Sequence, residues 1–439
     1  MQNSTAVAKR PTMWRQMLMF FSIIGPGIIT ANADNDVGGI TTYSLAGAQF
    51  GYSMLWLLVP VTLALIVTQE MCARMGAVTG KGLADLIREN FGVKVTAIVL
   101  LLFVIGDLGN TAAEFAGIAS AAPILQTYVP FLSKFLLVPF AAIFVFTAVT
   151  RGNYKIIERV FFVFCAVYIA YVVDAFLIKP APPWGPILHD TVLPHFNPTS
   201  AYLLTVIAVI GTTISPWMQF YIQSAIVEKG VRVKDYGYSR IDVISGAIIT
   251  DIVAFFIIIA SAATIFYTNT HLAPGHKPIV VADAGDVAQA LSGFGKYASL
   301  LFAIGLLNAA IFTASILPLS TAYYVCEAFG FESGVENRFS QAPVFYGFYL
   351  GLIVVGAGFV LIPGAPLLAT IFYSQVLNGV LLPVVLVLML LLINNKRIMG
   401  TYTNGLVFNV IAWATAVIVG ILTIVSTVQQ IIAPTGTGG

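Results

Sequence analysis

Eleven runs of this chain are each apolar enough and long enough to cross a lipid bilayer as a helix, which leaves few alternatives for its fold. About 20 apolar residues span the hydrocarbon. The runs fall at roughly 17–47, 52–75, 92–125, 133–150, 157–178, 199–228, 243–268, 296–327, 343–363, 367–393 and 404–430 of the 439 residues, which leaves no room for a soluble domain. Only 9% of residues are charged, against roughly 25% in a soluble domain. A chain so poor in charge cannot cover itself in water. Period-2 alternation is absent, so a transmembrane barrel is not expected. Several runs exceed one simple crossing, which implies tilt, interruption or extension beyond the bilayer.

The cations set the expected orientation. With the N-terminus inside, seventeen of the 21 Lys and Arg residues fall in cytoplasmic segments; only Lys134, Lys179, Lys277 and Lys296 are external. That asymmetry follows the positive-inside rule, and eleven crossings then put the C-terminus outside. The net charge of +2 points to no nucleic-acid partner, and the expected partners are the bilayer and a small substrate, with no obligatory protein. His189, His195, His271 and His276 all lie in the two long external connections. Cys72, Cys165 and Cys326 suggest no disulfide framework. Residues 1–16 lack a convincing cleavage site and are expected to be a cytoplasmic tail; residues 431–439 are expected to be disordered. Short loops and the lack of a sorting sequence suggest a prokaryotic plasma (inner) membrane.

Two runs look broken. In the first, Gly25 to Gly39 brings Pro26, glycines, Asn32, Asp34, Asn35 and Asp36 to membrane depth, and in the sixth, Gly211 to Trp217 contains Ser215-Pro216. Irregular backbone is tolerated there only inside protein or beside a water-filled cavity. Interrupted helices at matching places in two halves mark a transporter site. Runs 1 and 6 are five apart, as two inverted five-helix repeats require: 17–178 and 199–393, with 404–430 as an additional helix.

An ionised carboxylate at the bilayer centre costs several kcal/mol or more unless paired or hydrated, so Asp34 and Asp36 suggest a cation site. The bland alternative is that Asp36 caps the helix opened by Val37. Asp107, Asn110 and Glu114 share one helical face, suited either to an ion or proton path or to a hydrogen-bonded helix contact. Asp174 and Asp251 look structural, and Gln375 alone reads as a helix bridge. No Walker loop, Cys-x-x-Cys or His-Glu-x-x-His occurs, and nothing marks the facing carboxylate pair of an aspartyl protease, so no enzyme and no cofactor are expected.

At these same residues the chain resembles the Nramp family of divalent-metal transporters. The likeness is carried by Gly25-Pro26, by Gly47 to Trp56, by Ala112 to Gly117, by Ser374-Gln375-Val376, by Leu382-Pro383 and by Asn395 to Gly400. It implies an all-α membrane protein of the LeuT-type fold: two inverted five-helix repeats plus one further helix, with helices 1 and 6 broken at mid-membrane. It also implies a metal site of Asp36, the carbonyls of Ala33 and Thr212, and Gln375, with Asp34 alongside. The departures carry information. The family's helix 1 asparagine ligand falls on Gly39, its helix 6 methionine on Ser215 and its following histidine on Trp217. Glu114 matches an acidic residue of helix 3, while the aspartate three positions earlier is Thr111. Thioether sulfur favours transition metals, whereas Mg²⁺ takes oxygen and keeps several waters. The pattern therefore resembles the Nramp-related magnesium transporters, and it implies Mg²⁺ (with Mn²⁺) entering by alternating access, as uniport because Trp217 cannot titrate. The alternatives are a proton-coupled Mn²⁺/Fe²⁺ symporter and a sodium-coupled small-solute carrier of the same fold.

Overall fold

The computed structural model describes residues 34–151, 168–179, 181–271, 278, 279, 281, 284–335 and 337–432. Among these there is no strand, and nine helical runs are long and apolar enough to cross a membrane. The run Val37–Thr79 holds two of the expected spans, α1 (Val37–Phe50) and α2 (Leu58–Thr79), joined by a tight 3-10 stretch, Gly51–Leu57. Next come α3 (Leu83–Gln126), α4 (Lys134–Arg151), α5 (Ile169–Leu177) and a short connecting helix α6 (Trp184–Val192). The second half holds α7 (Ser200–Thr213), α8 (Pro216–Glu228), α9 (Tyr236–Ser261), α10 (Ala298–Phe329), α11 (Pro343–Leu361), α12 (Leu367–Ile393) and α13 (Leu406–Ile432). The tail 1–16, the Gly25-Pro26 opening, Asn32, Ala33, Cys165, His276 and residues 433–439 lie outside the described residues, as does the first half of the fifth span.

Local chemistry explains where the elements stop. Pro216 has no N–H to return to the carbonyl four residues back, so the sixth span divides. The last turn of α7 closes with Ile214 N donating to the Ile210 carbonyl at 2.8 Å, and α8 restarts with Pro216 in its first turn. The third span starts earlier than its apolar run suggests. Leu83, Leu86 and Ile87 are buried while Glu89 is exposed, so an amphipathic turn precedes the apolar stretch; Gly92, at φ +80°, bends the chain into it. That left-handed conformation suits glycine alone without strain. In the connection after the fifth span, α6 begins directly after Pro183 and accepts Pro186 in its first turn, where a missing N–H costs nothing.

Without a hydrophobic force between helices in lipid, close packing depends on small residues. A Cβ on Gly117 would lie 2.3 Å from the Val37 side chain, joining α3 to α1, and one on Gly47 would lie 2.4 Å from the Ile258 carbonyl, joining α1 to α9. The tightest crossing joins α7 to α12: a Cβ on Gly211 would meet the Gln375 carbonyl at 2.1 Å, and one on Gly379 the Ile207 carbonyl at 2.4 Å. The helices that meet at these glycines form the interior. By contrast Leu406, Val407, Val410, Val417, Ile421 and Ile424 of α13 all point outward. A stripe of that kind belongs against lipid.

At the end carrying most of the Lys and Arg residues, Arg74 ties three elements together. It pairs with Glu70 at 3.0 Å and donates to the carbonyls of Tyr402 and Thr403 at 3.3 Å, and to the Asn404 side chain; Tyr236 of α9 donates to Glu70. The pair is nearly enclosed, at 11% and 4% side-chain exposure. Removing one partner of a buried pair typically costs about 3–5 kcal/mol. Arg74→Ala should therefore lower the thermal unfolding midpoint in detergent by several degrees, read by intrinsic fluorescence, and an unchanged midpoint would show the network to be solvated.

Candidate metal site

The helix breaks converge with one turn of α12. Asp36 (φ −70°, ψ −171°) precedes α1 in an extended conformation, and its Oδ1 accepts the Gly39 amide at 2.7 Å. The capping role thus holds, and it uses one oxygen of the two. The carboxyl of Glu114, from α3, lies within hydrogen-bonding reach of Asp36. Two ionised carboxylates in contact repel, so a proton or a cation belongs between or beside them. Gly38 packs against Gln375: a Cβ there would sit 2.1 Å from Nε2 of that amide and 3.0 Å from Asp36 Oδ1. Gly39 is similarly closed, its missing Cβ only 2.3 Å from the Asp34 carbonyl, so in this conformation that position offers room for no side chain.

Around Gln375 runs a network of amides. Asn110 and Asn378 exchange hydrogen bonds at 2.8 and 3.1 Å across α3 and α12. The Asn378 Nδ2 also lies 3.0 Å from Gln375 Oε1 and 3.3 Å from Ser215 Oγ. An amide nitrogen carries two protons and here faces three oxygens. One of them is left over whichever way it points. The Ser215 hydroxyl donates toward the carbonyls of Gly211 (2.8 Å) and Thr212 (3.1 Å) in the break of the sixth span. All of these groups are at most 8% exposed.

The remaining expected residues go elsewhere. Asp107 Oδ2 accepts from Thr321 at 2.7 Å and Tyr324 at 2.8 Å, both on α10, a hydrogen-bonded helix contact, and its carboxyl also lies within hydrogen-bonding reach of Asn110. Trp217 is buried with Met218, Tyr221, Phe312, Ile316 and Leu317 in an apolar cluster of its own. Asp34 is in electrostatic contact with Asp251 of α9 as well as with Asp36. Two contributors escaped the sequence reading. Asn378 lies three residues after Gln375 on the same helical face, a spacing that could have flagged it. Asp251 looked close to a span end because the apolar run starts at 243, but α9 starts at Tyr236 and places it mid-helix.

A cleft of about 290 Å³ opens over α1, α7 and α12, lined by Leu45, Gln49, Thr205, Phe372 and Tyr373 among others. It lies at the end away from the Arg74 network, within about four helical turns of Gln375, Thr212 and Asp36 along the same helices. Among the described residues no three His, Cys, Asp or Glu side chains converge as a metal cage. A site here would combine one or two carboxylates with amide and carbonyl oxygens.

A multi-pass helical bundle with buried helix breaks is the architecture of the LeuT-type fold, and solved structures agree. The chain superposes on the nucleobase-cation-symport-1 family transporter Mhp1 with a TM-score of 0.58 at 15% identity, over 94% of this chain and 93% of that one. A manganese transporter of Eremococcus coleocola matches more closely, with a TM-score of 0.74 at 21% identity over 100% and 92%. The family model described as natural resistance-associated macrophage protein-like matches residues 27–429, so the chain belongs to the Nramp family. Curated relatives include proteins named divalent metal cation transporter MntH, from Ralstonia nicotianae (27% identical, 93% of this chain and 90% of the relative) and Bacillus subtilis (24%, 90% and 89%). These relatives are transporters and not enzymes.

Proposed function

We propose that the chain carries divalent metal ions into the cytoplasm, Mg²⁺ foremost and Mn²⁺ with it, by alternating access around Asp36, Gln375, Ser215 and the carbonyls of Thr212 and Ala33. The named function of the relatives supports the ion class, and the donor set supports the choice within it. The observation that carries the reading is the all-oxygen character of the site: Ser215 Oγ stands where the family places a thioether, and the one nearby sulfur of α8, Met218, is packed in the Trp217 cluster. Oxygen donors with room for retained water suit Mg²⁺; soft donors select transition metals. On this reading the two halves, 17–178 and 199–393, act as inverted repeats in the plasma membrane, and the positive-inside bias supports a cytoplasmic N-terminus. The ion needs no coupled proton, because a divalent cation gains about 4.6 kcal/mol per 100 mV on entry, twice the single-charge figure.

The test is uptake in proteoliposomes loaded with a Mg²⁺-sensitive dye under an inside-negative potential, with Mn²⁺ and Ca²⁺ in parallel. Mg²⁺ entry above protein-free liposomes is expected; Mn²⁺ entry without Mg²⁺ would overturn the preference and leave the ion class standing. A proton-coupled symporter is the second reading, favoured by the contact between Asp36 and Glu114. Metal-dependent proton influx in the same liposomes would establish it over uniport. Ser215→Met restores a thioether, and the Mn²⁺-to-Mg²⁺ uptake ratio should rise about tenfold, or about 1.4 kcal/mol. An unchanged ratio would mean that the side chain at 215 does not face the ion.

A further inference from the structure

Asp34 and Asp251 form a second acidic pair that the proposed site does not use. Asp34 is 0% and Asp251 6% exposed, and the two are in electrostatic contact. None of their four carboxylate oxygens meets a donor at ordinary hydrogen-bond geometry. Hydroxyls lie beside them: Thr250 at Asp34 and Thr62, from α2, at Asp251. The protons of two neighbouring hydroxyls are committed elsewhere. Thr62 donates to the Leu58 carbonyl at 2.7 Å. Thr213 gives its proton to the Val209 carbonyl at 2.8 Å, so in the 2.7 Å contact between Tyr43 and Thr213 it is Tyr43 that donates. Tyr43 is itself in electrostatic contact with Asp251, Asp34 and Asp36. With those protons so placed, Thr62 and Tyr43 have oxygen lone pairs to offer a cation beside the carboxylates. Among the described residues no Lys, Arg or His is in electrostatic contact with either aspartate.

Two buried carboxylates whose oxygens meet no donor at ordinary hydrogen-bond geometry, with no cation beside them among the described residues, are electrostatically incomplete. We propose that Asp34 and Asp251, with the hydroxyl oxygens of Thr250, Thr62 and Tyr43, hold a second divalent cation beside the one assigned to Asp36. A divalent cation balances both carboxylates, as a proton on each would, whereas a single shared proton or a monovalent ion leaves a net buried charge. All the donors are hard oxygens, the set that takes Mg²⁺, Ca²⁺ or Mn²⁺. Asp34 and Asp36 are two residues apart, so ions at the two stations repel, and arrival at one promotes departure from the other, as in multi-ion conduction. This inference rests on the reading that the chain carries divalent cations.

The experiment uses Mn²⁺ alone as probe. Equilibrium binding to the purified full chain should give two Mn²⁺ per chain in the wild type and one in Asp251→Asn, with Asp251→Glu keeping two. Crystals of the wild type soaked in Mn²⁺ should show an anomalous peak between Asp34 and Asp251, a measurement that needs no variant to fold. One Mn²⁺ per wild-type chain, unchanged in Asp251→Asn, overturns the second station, as does a crystal with its peak at Asp36 alone; a proton shared by the pair would give that result. A wild type that binds at Asp36 and transports would leave the transport reading intact in that event. Absence of both binding and uptake would remove the two together.

Discussion

Asp36→Ala should reduce divalent-cation uptake to the level of protein-free liposomes. At an effective dielectric of about 20, a carboxylate and a divalent ion about 4 Å apart attract by roughly 8 kcal/mol. Each 1.4 kcal/mol is tenfold in binding, so losing even a third of that attraction lowers occupancy by about a hundredfold. Alanine also removes the cap on Gly39 N, worth about 0.5–2 kcal/mol, and that complicates a transport measurement. Asp36→Asn separates the effects, because asparagine caps as well as aspartate does but carries no charge. Its unfolding midpoint should match the wild type while its uptake matches alanine. If Asp36→Asn carried ions at more than half the wild-type rate, Asp36 would be a cap and nothing further.

The second large effect is expected at Gly211. A Cβ there would approach the Gln375 carbonyl to 2.1 Å and the Gly379 amide nitrogen to 2.3 Å, and both are backbone atoms in the middle of α12. A flexible side chain could yield, but a helix backbone can only shift as a whole. Overpacking of this kind costs about 1–3 kcal/mol even where side chains can adjust. The shift would also carry Gln375 and Asn378 away from Ser215. Gly211→Ala should accordingly lose most of its monodisperse yield, and whatever folds should transport at under about a tenth of the wild-type rate. Gly351→Ala, with nothing within 4 Å of its Cβ, is the matched control and should behave as wild type. Equal behaviour of the two variants would show that α7 and α12 do not cross as described.

The spans were legible because each needs only its own apolar run, and Ser215-Pro216 announced its break through a missing N–H. Where they are described, the helices follow those spans, apart from the amphipathic start of α3 and the earlier start of α9 at Tyr236, which apolarity alone could not include. Side-chain partners were harder to foresee. The carboxylate of Asp107 is held by hydroxyls 214 and 217 positions along the chain, and nothing local distinguishes that from an open ion path. Asn378 and Asp251 gain their meaning only from helices that arrive from the other half. Conversely, Asp36 presented cap and ligand as rival readings, and the geometry makes them compatible, since the cap engages one oxygen.

The surplus of acceptors around Asn378 bears on speed. An ion that draws Gln375 Oε1 toward itself leaves Asn378 two other oxygens for its two protons, and on the ion's departure the amide can return to its former acceptor. Loaded and empty forms then differ little in internal hydrogen bonding, so neither is a deep trap. On the proposed reading, a carrier built in this way would give up tight capture in favour of rapid turnover, which would suit it to an abundant ion better than to a scarce one.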